Sequence, residues 1–241
     1  MPSPWENSAF AALSMAHVDE KFLPQTQRQV DWLLRKMQLR PGDALLDLGC
    51  GAGRHAIAFS QLGVRVTGID ISETMLRHAK ERAAAAGADI HFLREDLANL
   101  AQLQLPVFQG AICLCESGFS VLGGEGKDFA FLRQVHALLA PGAWFALTCF
   151  NALRRYIRDG DRNPRFDYLS GTMDWSCELR DGTRLRELGR QYTPSEIQLL
   201  LRLCGFQAIE ALSCADGLFS DAPVGVEDIE LLACAKRGEC P

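Results

Sequence analysis

The chain has 241 residues, 48% of them hydrophobic, with 25 lysine plus arginine against 30 aspartate plus glutamate and a net charge of −5. That length and apolar content suit one well-buried α/β domain, residues 1–241, carrying an insertion. The mild, interspersed acidity offers no footprint for nucleic acid or an anionic membrane. No apolar run approaches the roughly 18 residues of a transmembrane helix, and Met1 to Phe10 lacks a basic segment followed by an apolar core. A cytoplasmic protein, monomeric or homodimeric, with a small-molecule partner is expected. The nine cysteines contain no Cys-x-x-Cys pair, and Cys113 and Cys115 sit inside an apolar run, so the thiols read as buried and free, with no metal site.

Residues 1–40 read as an N-terminal helical segment, with Val30, Leu33, Leu34 and Met37 at helical spacing. Arg40-Pro41-Gly42 stops it. Strand and helix signals then alternate: strand Ala44 to Leu48, helix Arg54 to Leu62, strand Val64 to Ile69, helix Ser72 to Ala86, strand Ile90 to Leu93, strand Ala111 to Cys115, helix Asp128 to Leu139, strand Ala143 to Phe150. Such alternation predicts a parallel sheet with helices on both faces. The period changes between Asn151 and Tyr192, where Asp181-Gly182 marks a hairpin, so residues 151–192 read as an antiparallel β insertion, a lid over the substrate. Thr193-Pro194-Ser195-Glu196 opens the last helix, Ile197 to Cys204. Strands Phe206 to Ser213 and Glu230 to Ala235 follow with no crossover helix between them and should pair antiparallel, joined by a loop around Asp216 to Gly225.

Chemistry concentrates in Leu45 to Ala58, a strand, a turn with Gly49, Gly51 and Gly53 at alternate positions, and a helix. Alternate glycines let a ligand approach the main chain, and the helix points its unpaired N–H groups at the same spot. Asp70 stands at the end of the next strand, about 20 residues on, where a carboxylate accepts from ribose hydroxyls. This much suits NAD and S-adenosylmethionine equally. Asp96, after the third strand, adds an acid beside the adenine position, and the sheet ends in an antiparallel pair rather than a second mononucleotide-binding half.

With those features in place, the chain resembles the class I S-adenosylmethionine-dependent methyltransferases, a bacterial branch acting on small molecules. Leu-Leu-Asp-Leu-Gly-Cys-Gly-Ala-Gly-Arg-His, Val-Thr-Gly-Ile-Asp-Ile-Ser, Glu-Asp-Leu and Leu-Leu-Ala-Pro-Gly-Ala occur in family order. Ala143 stands where many relatives carry a second glycine. The resemblance implies an α/β, Rossmann-like, seven-stranded, mostly parallel sheet with an antiparallel last strand. It implies S-adenosylmethionine as cofactor, with Gly49, Cys50, Gly51 and Gly53 under its methionine part, Asp70 on the ribose diol, Ile71 and Met75 on adenine, and Asp96 with the Leu97 N–H on the adenine edge. Cys115 and Glu116 would lie near the sulfonium. Arg54 either braces the loop or reaches the cofactor carboxylate, His55 reads as a packed histidine, and Asp47 as a structural acid.

Methyl transfer to a small-molecule acceptor needs a general base only for some acceptors. Glu116, Tyr192 and His17 are the candidates, with Tyr168 a further one. Arg154, Arg155, Arg158, Arg162 and Arg165, with Trp175 and Tyr168, form either a site for a carboxylate- or phosphate-bearing acceptor or a solvated lid surface. The alternatives to a methyltransferase are an NAD(P)-dependent oxidoreductase and a cofactor-binding protein without transferase activity.

Overall fold

The computed structural model describes residues 6–7, 11, 23–114, 118–122, 125–159, 164–178 and 182–238. Strand β1 (Ala44–Leu48) is buried along its whole length, as a central strand covered on both faces must be. It pairs in parallel with β2 (Arg65–Asp70) on one side and β4 (Phe108–Cys113) on the other. Beyond these, β3 (Ile90–Arg94) pairs with β2 and β5 (Leu139–Phe150) with β4, again in parallel. The chain therefore steps outward from β1 through β2 and β3, then returns to the far side of β1. That reversal leaves a switch point between β1 and β4, the crevice where open α/β sheets bind ligands.

The sheet is completed by β9 (Phe206–Ala215), β10 (Leu218–Pro223) and β11 (Glu230–Arg237), in the order β10-β9-β11-β5-β4-β1-β2-β3. β11 runs antiparallel to both β5 and β9, as the missing crossover requires. The strand count is eight rather than seven, because part of the segment expected as a loop forms β10. Asp216 and Gly217 both have positive φ, 49° and 78°, the requirement of a two-residue hairpin turn. Phe219 then meets Trp32 edge-on at 5.9 Å between ring centroids.

Helices cover both faces. α1 (Thr26–Met37) and α2 (Arg54–Gln61) place Val30, Leu33 and Phe59 in one layer with Leu45, Ile112 and Ala146. α4 (Glu125–Leu138) and α5 (Pro194–Leu203) place Phe131, Leu132, Ile197 and Leu201 in the other, against Leu46 and Leu48. α3 (Glu73–Ala85) packs along β2 and β3, with Met75, Leu76, Ala79 and Ala83 buried. Cys50, Cys113, Cys149, Cys204, Cys214 and Cys234 are free and buried, as hydrophobic thiols are.

A separate antiparallel sheet of β6 (Phe166–Asp167), β7 (Thr172–Glu178) and β8 (Arg184–Arg190) occupies the insertion. Backbone bonds dock it on the carboxyl edge of the main sheet: Arg190 N–H to Ser120 O at 2.8 Å, Tyr192 N–H to Phe150 O at 3.0 Å and Ala152 N–H to Tyr192 O at 3.0 Å. Trp175 stacks on Phe150 with centroids 5.6 Å apart. Immediately after the insertion Thr193 caps α5: its hydroxyl accepts from the Glu196 N–H, and the Glu196 carboxylate accepts from the Thr193 N–H at 2.7 Å. Thr193→Ala removes one arm of this capping box and should cost about 1 kcal/mol. Urea denaturation should show a lower midpoint at unchanged slope. An unchanged midpoint would mean the cap contributes nothing.

Candidate functional site

Gly49, Gly51 and Gly53 all lie in the left-handed region, at φ 71°, 53° and 78°. Their surroundings differ. A Cβ on Gly49 would stand 3.5 Å from the Gly118 Cα, so the loops after β1 and β4 nearly touch across the switch point. A Cβ on Gly53 would press on Ala79 Cβ at 3.1 Å and Phe92 Cζ at 3.3 Å, so this glycine lets α2 seat against α3 and β3. A Cβ on Gly51 meets nothing within 4 Å. The loop is held from behind, where the Gly49 and Cys50 N–H groups both donate to Ile69 O at 2.8 and 3.0 Å. The Cys50 thiol is buried, which holds it protonated.

Asp70 ends β2 and is buried. Its Oδ2 accepts the Gly51 N–H and its Oδ1 the Ser72 N–H, each at 2.8 Å. Burial raises its pKa while these backbone donors oppose the rise. The Ile71 N–H acts on the carboxylate as well, and of its roughly four acceptor positions at least one stays open. Ile71 is half-buried beside it, and Met75 is buried with its N–H on the Ser72 hydroxyl. At the end of β3, Asp96 is exposed and caps the short helical turn Leu97–Gln102, its Oδ1 accepting from the Ala98 N–H at 2.9 Å, while Leu97 is buried. The three neighbouring strand ends thus present, in order, the glycine loop, Asp70 and Asp96.

Behind the loop, Arg54 turns toward α1, donating to Thr26 Oγ1 at 2.9 Å and Gln29 Oε1 at 2.7 Å. These bonds tie the first turn of α2 to α1. His55 Nε2 lies 2.9 Å from the same Gln29 oxygen. Since Arg54 can only donate, that atom is the amide oxygen, and His55 is the Nε2–H tautomer. Burial and the Arg54 charge hold the imidazole neutral. The Gln29 amide donates in turn to the Gly217 carbonyl at the β9–β10 turn. Sequence reading missed this hub, although Gln29 stands four residues before Leu33 on a mostly apolar stripe. Asp47 is buried in β1, and desolvation pushes its pKa up to about 7 against the pull of Arg54 and the Ala56 N–H.

His17, Cys115, Glu116 and Arg162 lie outside the described residues. Tyr192 is buried and its hydroxyl donates to Asp128. Its ring lies 5.4 Å from Phe119, with the Arg190 guanidinium 4.6 Å from its centroid. Burial and the Asp128 charge push the phenol far above its usual range, so it keeps its proton at neutral pH. Arg190 also donates to Glu196 at 3.0 Å. Several of the insertion's arginines are matched by acids: Arg158 pairs with Glu227, Arg184 with Glu178 at 3.0 Å and Arg186 with Asp174 at 2.6 Å.

Residues 45–142 match the family described as a methyltransferase domain. The chain is 34% identical over 186 residues to the putative methyltransferase YqeM of Bacillus subtilis, covering 68% of this chain and 73% of that one. It is 31% identical over 166 residues to the 27-O-demethylrifamycin SV methyltransferase of Amycolatopsis mediterranei, covering 68% of this chain and 53% of the relative. The chain thus spans about half the length of this and other curated relatives. Among solved structures, an S-adenosylmethionine-dependent methyltransferase from Clostridium acetobutylicum superimposes with a TM-score of 0.75 over 94% of this chain and 99% of that one, at 18% identity, a likeness of fold. Among the described residues no helix is long and apolar enough to cross a membrane.

The raised pKa of Asp47 has a pH consequence. The folded state binds this proton more tightly than the unfolded chain, so the stabilisation is complete below about pH 4 and is lost as pH rises through about 7. Asp47→Asn removes that titration. Relative to wild type, the variant should gain stability from pH 4 to pH 8, on the order of a few kcal/mol, read as the difference between urea midpoints at each pH. A pH-independent difference would show that Asp47 is ionised throughout.

Proposed function

The chain belongs to the class I S-adenosylmethionine-dependent methyltransferases, and we propose that it transfers the methyl group of S-adenosylmethionine to a small-molecule acceptor at a nitrogen, oxygen or carbon centre. The observation that carries this reading is the row of strand ends at which the open glycine loop, the buried Asp70 and the exposed Asp96 follow one another. In this proposal Gly49, Cys50, Gly51 and Gly53 form the floor of the cofactor site, with Arg54 bracing it against α1. Asp70 takes the ribose diol, Ile71 and Met75 pack on adenine, Asp96 and the Leu97 N–H take the adenine edge, and Cys115 borders the methionine part. The open space over Gly51 and the acceptor capacity left on Asp70 support that fit.

The cofactor supplies a methyl group already activated on a sulfonium. The chain's task is then to align the acceptor for in-line displacement and to keep water out, so proximity supplies much of the rate. The inserted sheet covers the carboxyl edge in this reading. Glu116 and His17 are the groups we assign to remove a proton where the acceptor bears one. Tyr192, whose proton is committed to Asp128, acts by holding the cover in place. The net charge of −5 favours a small acceptor over nucleic acid, and we read the protein as cytoplasmic, a monomer or homodimer.

S-adenosylmethionine and its demethylated product should each raise the melting temperature, whereas NADH should not. Asp70→Ala should weaken binding of the demethylated product by about 1–3 kcal/mol in calorimetric titration. Labelled methyl groups should pass to at least one member of a panel of amine, hydroxyl and carboxylate acceptors. Unchanged affinity in the Asp70 variant would remove the central assignment, and stabilisation by NADH alone would replace the reading with the oxidoreductase one.

A further inference from the structure

Buried polar atoms in folded proteins nearly all have hydrogen-bond partners. Here four side-chain donors depart from that rule in one neighbourhood. Ser120 Oγ, Arg154 Nε, Tyr168 Oη and Gln191 Nε2 are buried with no partner among the described residues. Ser120 and Gln191 are each only 1% exposed. The four come from different parts of the chain: the loop after β4, the turn after β5, the β6–β7 turn and the end of β8. Hydrogen bonds of their own or neighbouring residues place them at the junction of the inserted sheet with the carboxyl edge. Ser120 O takes the Arg190 N–H and Gly171 O takes the Gln191 N–H, each at 2.8 Å. The Tyr156 hydroxyl, two residues beyond Arg154, donates to Tyr168 O at 3.2 Å.

The chemistry of the set is one-sided. A hydroxyl, a guanidinium N–H, a phenol and an amide NH2 can all donate, and the guanidinium adds a fixed positive charge. Among the acids of this region, Glu196 is engaged by Arg190 and Thr193, Asp128 by Tyr192 and Asp167 by Ser170. Donors of this kind at one junction, together with a cation, match an oxyanion. Tyr156, Phe166 and Tyr168, with ring centroids 4.9–6.0 Å apart, add an aromatic wall to the same junction.

We propose that this junction binds the carboxylate or phosphoryl group of the methyl acceptor, an inference that rests on the methyltransferase reading. Ser120, Arg154, Tyr168 and Gln191 are then specificity-determining residues. Benzoate, phenylphosphonate and uncharged benzamide serve as probes, titrated calorimetrically into protein saturated with S-adenosylhomocysteine. At least one oxyanion should bind tenfold or more tightly than benzamide, and the preference between the two identifies carboxylate or phosphoryl as the group. Arg154→Gln and Tyr168→Phe should each weaken that oxyanion about tenfold while S-adenosylhomocysteine affinity stays within about twofold. Ser120→Ala and Tyr168→Phe should leave the melting temperature unchanged or raised, because the hydroxyl removed has no partner in the free protein, whereas a structural role would lower it.

Equal binding of benzamide, oxyanion affinity indifferent to both variants, or no oxyanion binding overturns the proposal. Failure of S-adenosylhomocysteine to bind overturns the methyltransferase reading instead, and the same titrations without it still judge the junction.

Discussion

A single buried carboxylate ties the glycine-loop half of the molecule together. Taking a carboxylate out of water is costly unless donors replace its hydration, and Asp70 is supplied by the backbone on both sides, Gly51 from the loop after β1 and Ser72 from the start of α3. The loop cannot shift without stripping Asp70 of a donor, and α3 cannot tilt without doing the same. Gly53 extends the coupling, because its missing Cβ is what allows Ala79 of α3 and Phe92 of β3 to close on α2. Loop, strand end and two helix starts therefore behave as one unit whose exposed face is main chain. A surface of that kind holds a ligand's shape without relying on mobile side chains.

The opposite bank of the crevice is built by other means. Tyr192 joins the inserted sheet to α4 through Asp128, its ring fills the space between Phe119 and the Arg190 guanidinium, and Arg190 reaches on to the capping Glu196. The end of the insertion and the start of α5 are thus fixed by the same few residues. Behind the glycine loop, Gln29 performs a comparable service, joining α1, the first turn of α2 and the β9–β10 turn. It also explains why β10 belongs to the sheet: the hairpin is held by Gln29 at its turn and by Trp32 on its flank.

Most of the fold was legible because it obeys local rules. Strand and helix periods alternate, the missing crossover between β9 and β11 forces antiparallel pairing, and Asp181-Gly182 flags the β7–β8 hairpin. The same Asp-Gly signal at Asp216-Gly217 marks β10, yet the strand after it reads as loop because Ser220, Asp221 and Pro223 dilute its apolar character. What makes that segment a strand is Trp32, nearly 190 residues earlier in the chain, and local propensity carries no trace of such a contact. Gln29 was equally hidden, since a glutamine on an apolar stripe states that a partner exists without saying which.

The two halves of the site differ in legibility for a related reason. Cofactor geometry depends on backbone conformation and strand-end position, so glycines at positive φ and an acid at the end of β2 leave a signature within a few residues of the place they serve. Acceptor chemistry depends on which charges remain unmatched, and matching is a long-range property. Arg186 is answered by Asp174, twelve residues away, and Arg158 by Glu227, sixty-nine away. Counting arginines between Asn151 and Tyr192 therefore overstates the positive charge offered to a ligand. In the oxyanion proposal, recognition therefore rests on placement rather than on total charge, and Arg154, with its unpartnered buried Nε, counts for more than the acid-paired arginines on the inserted sheet.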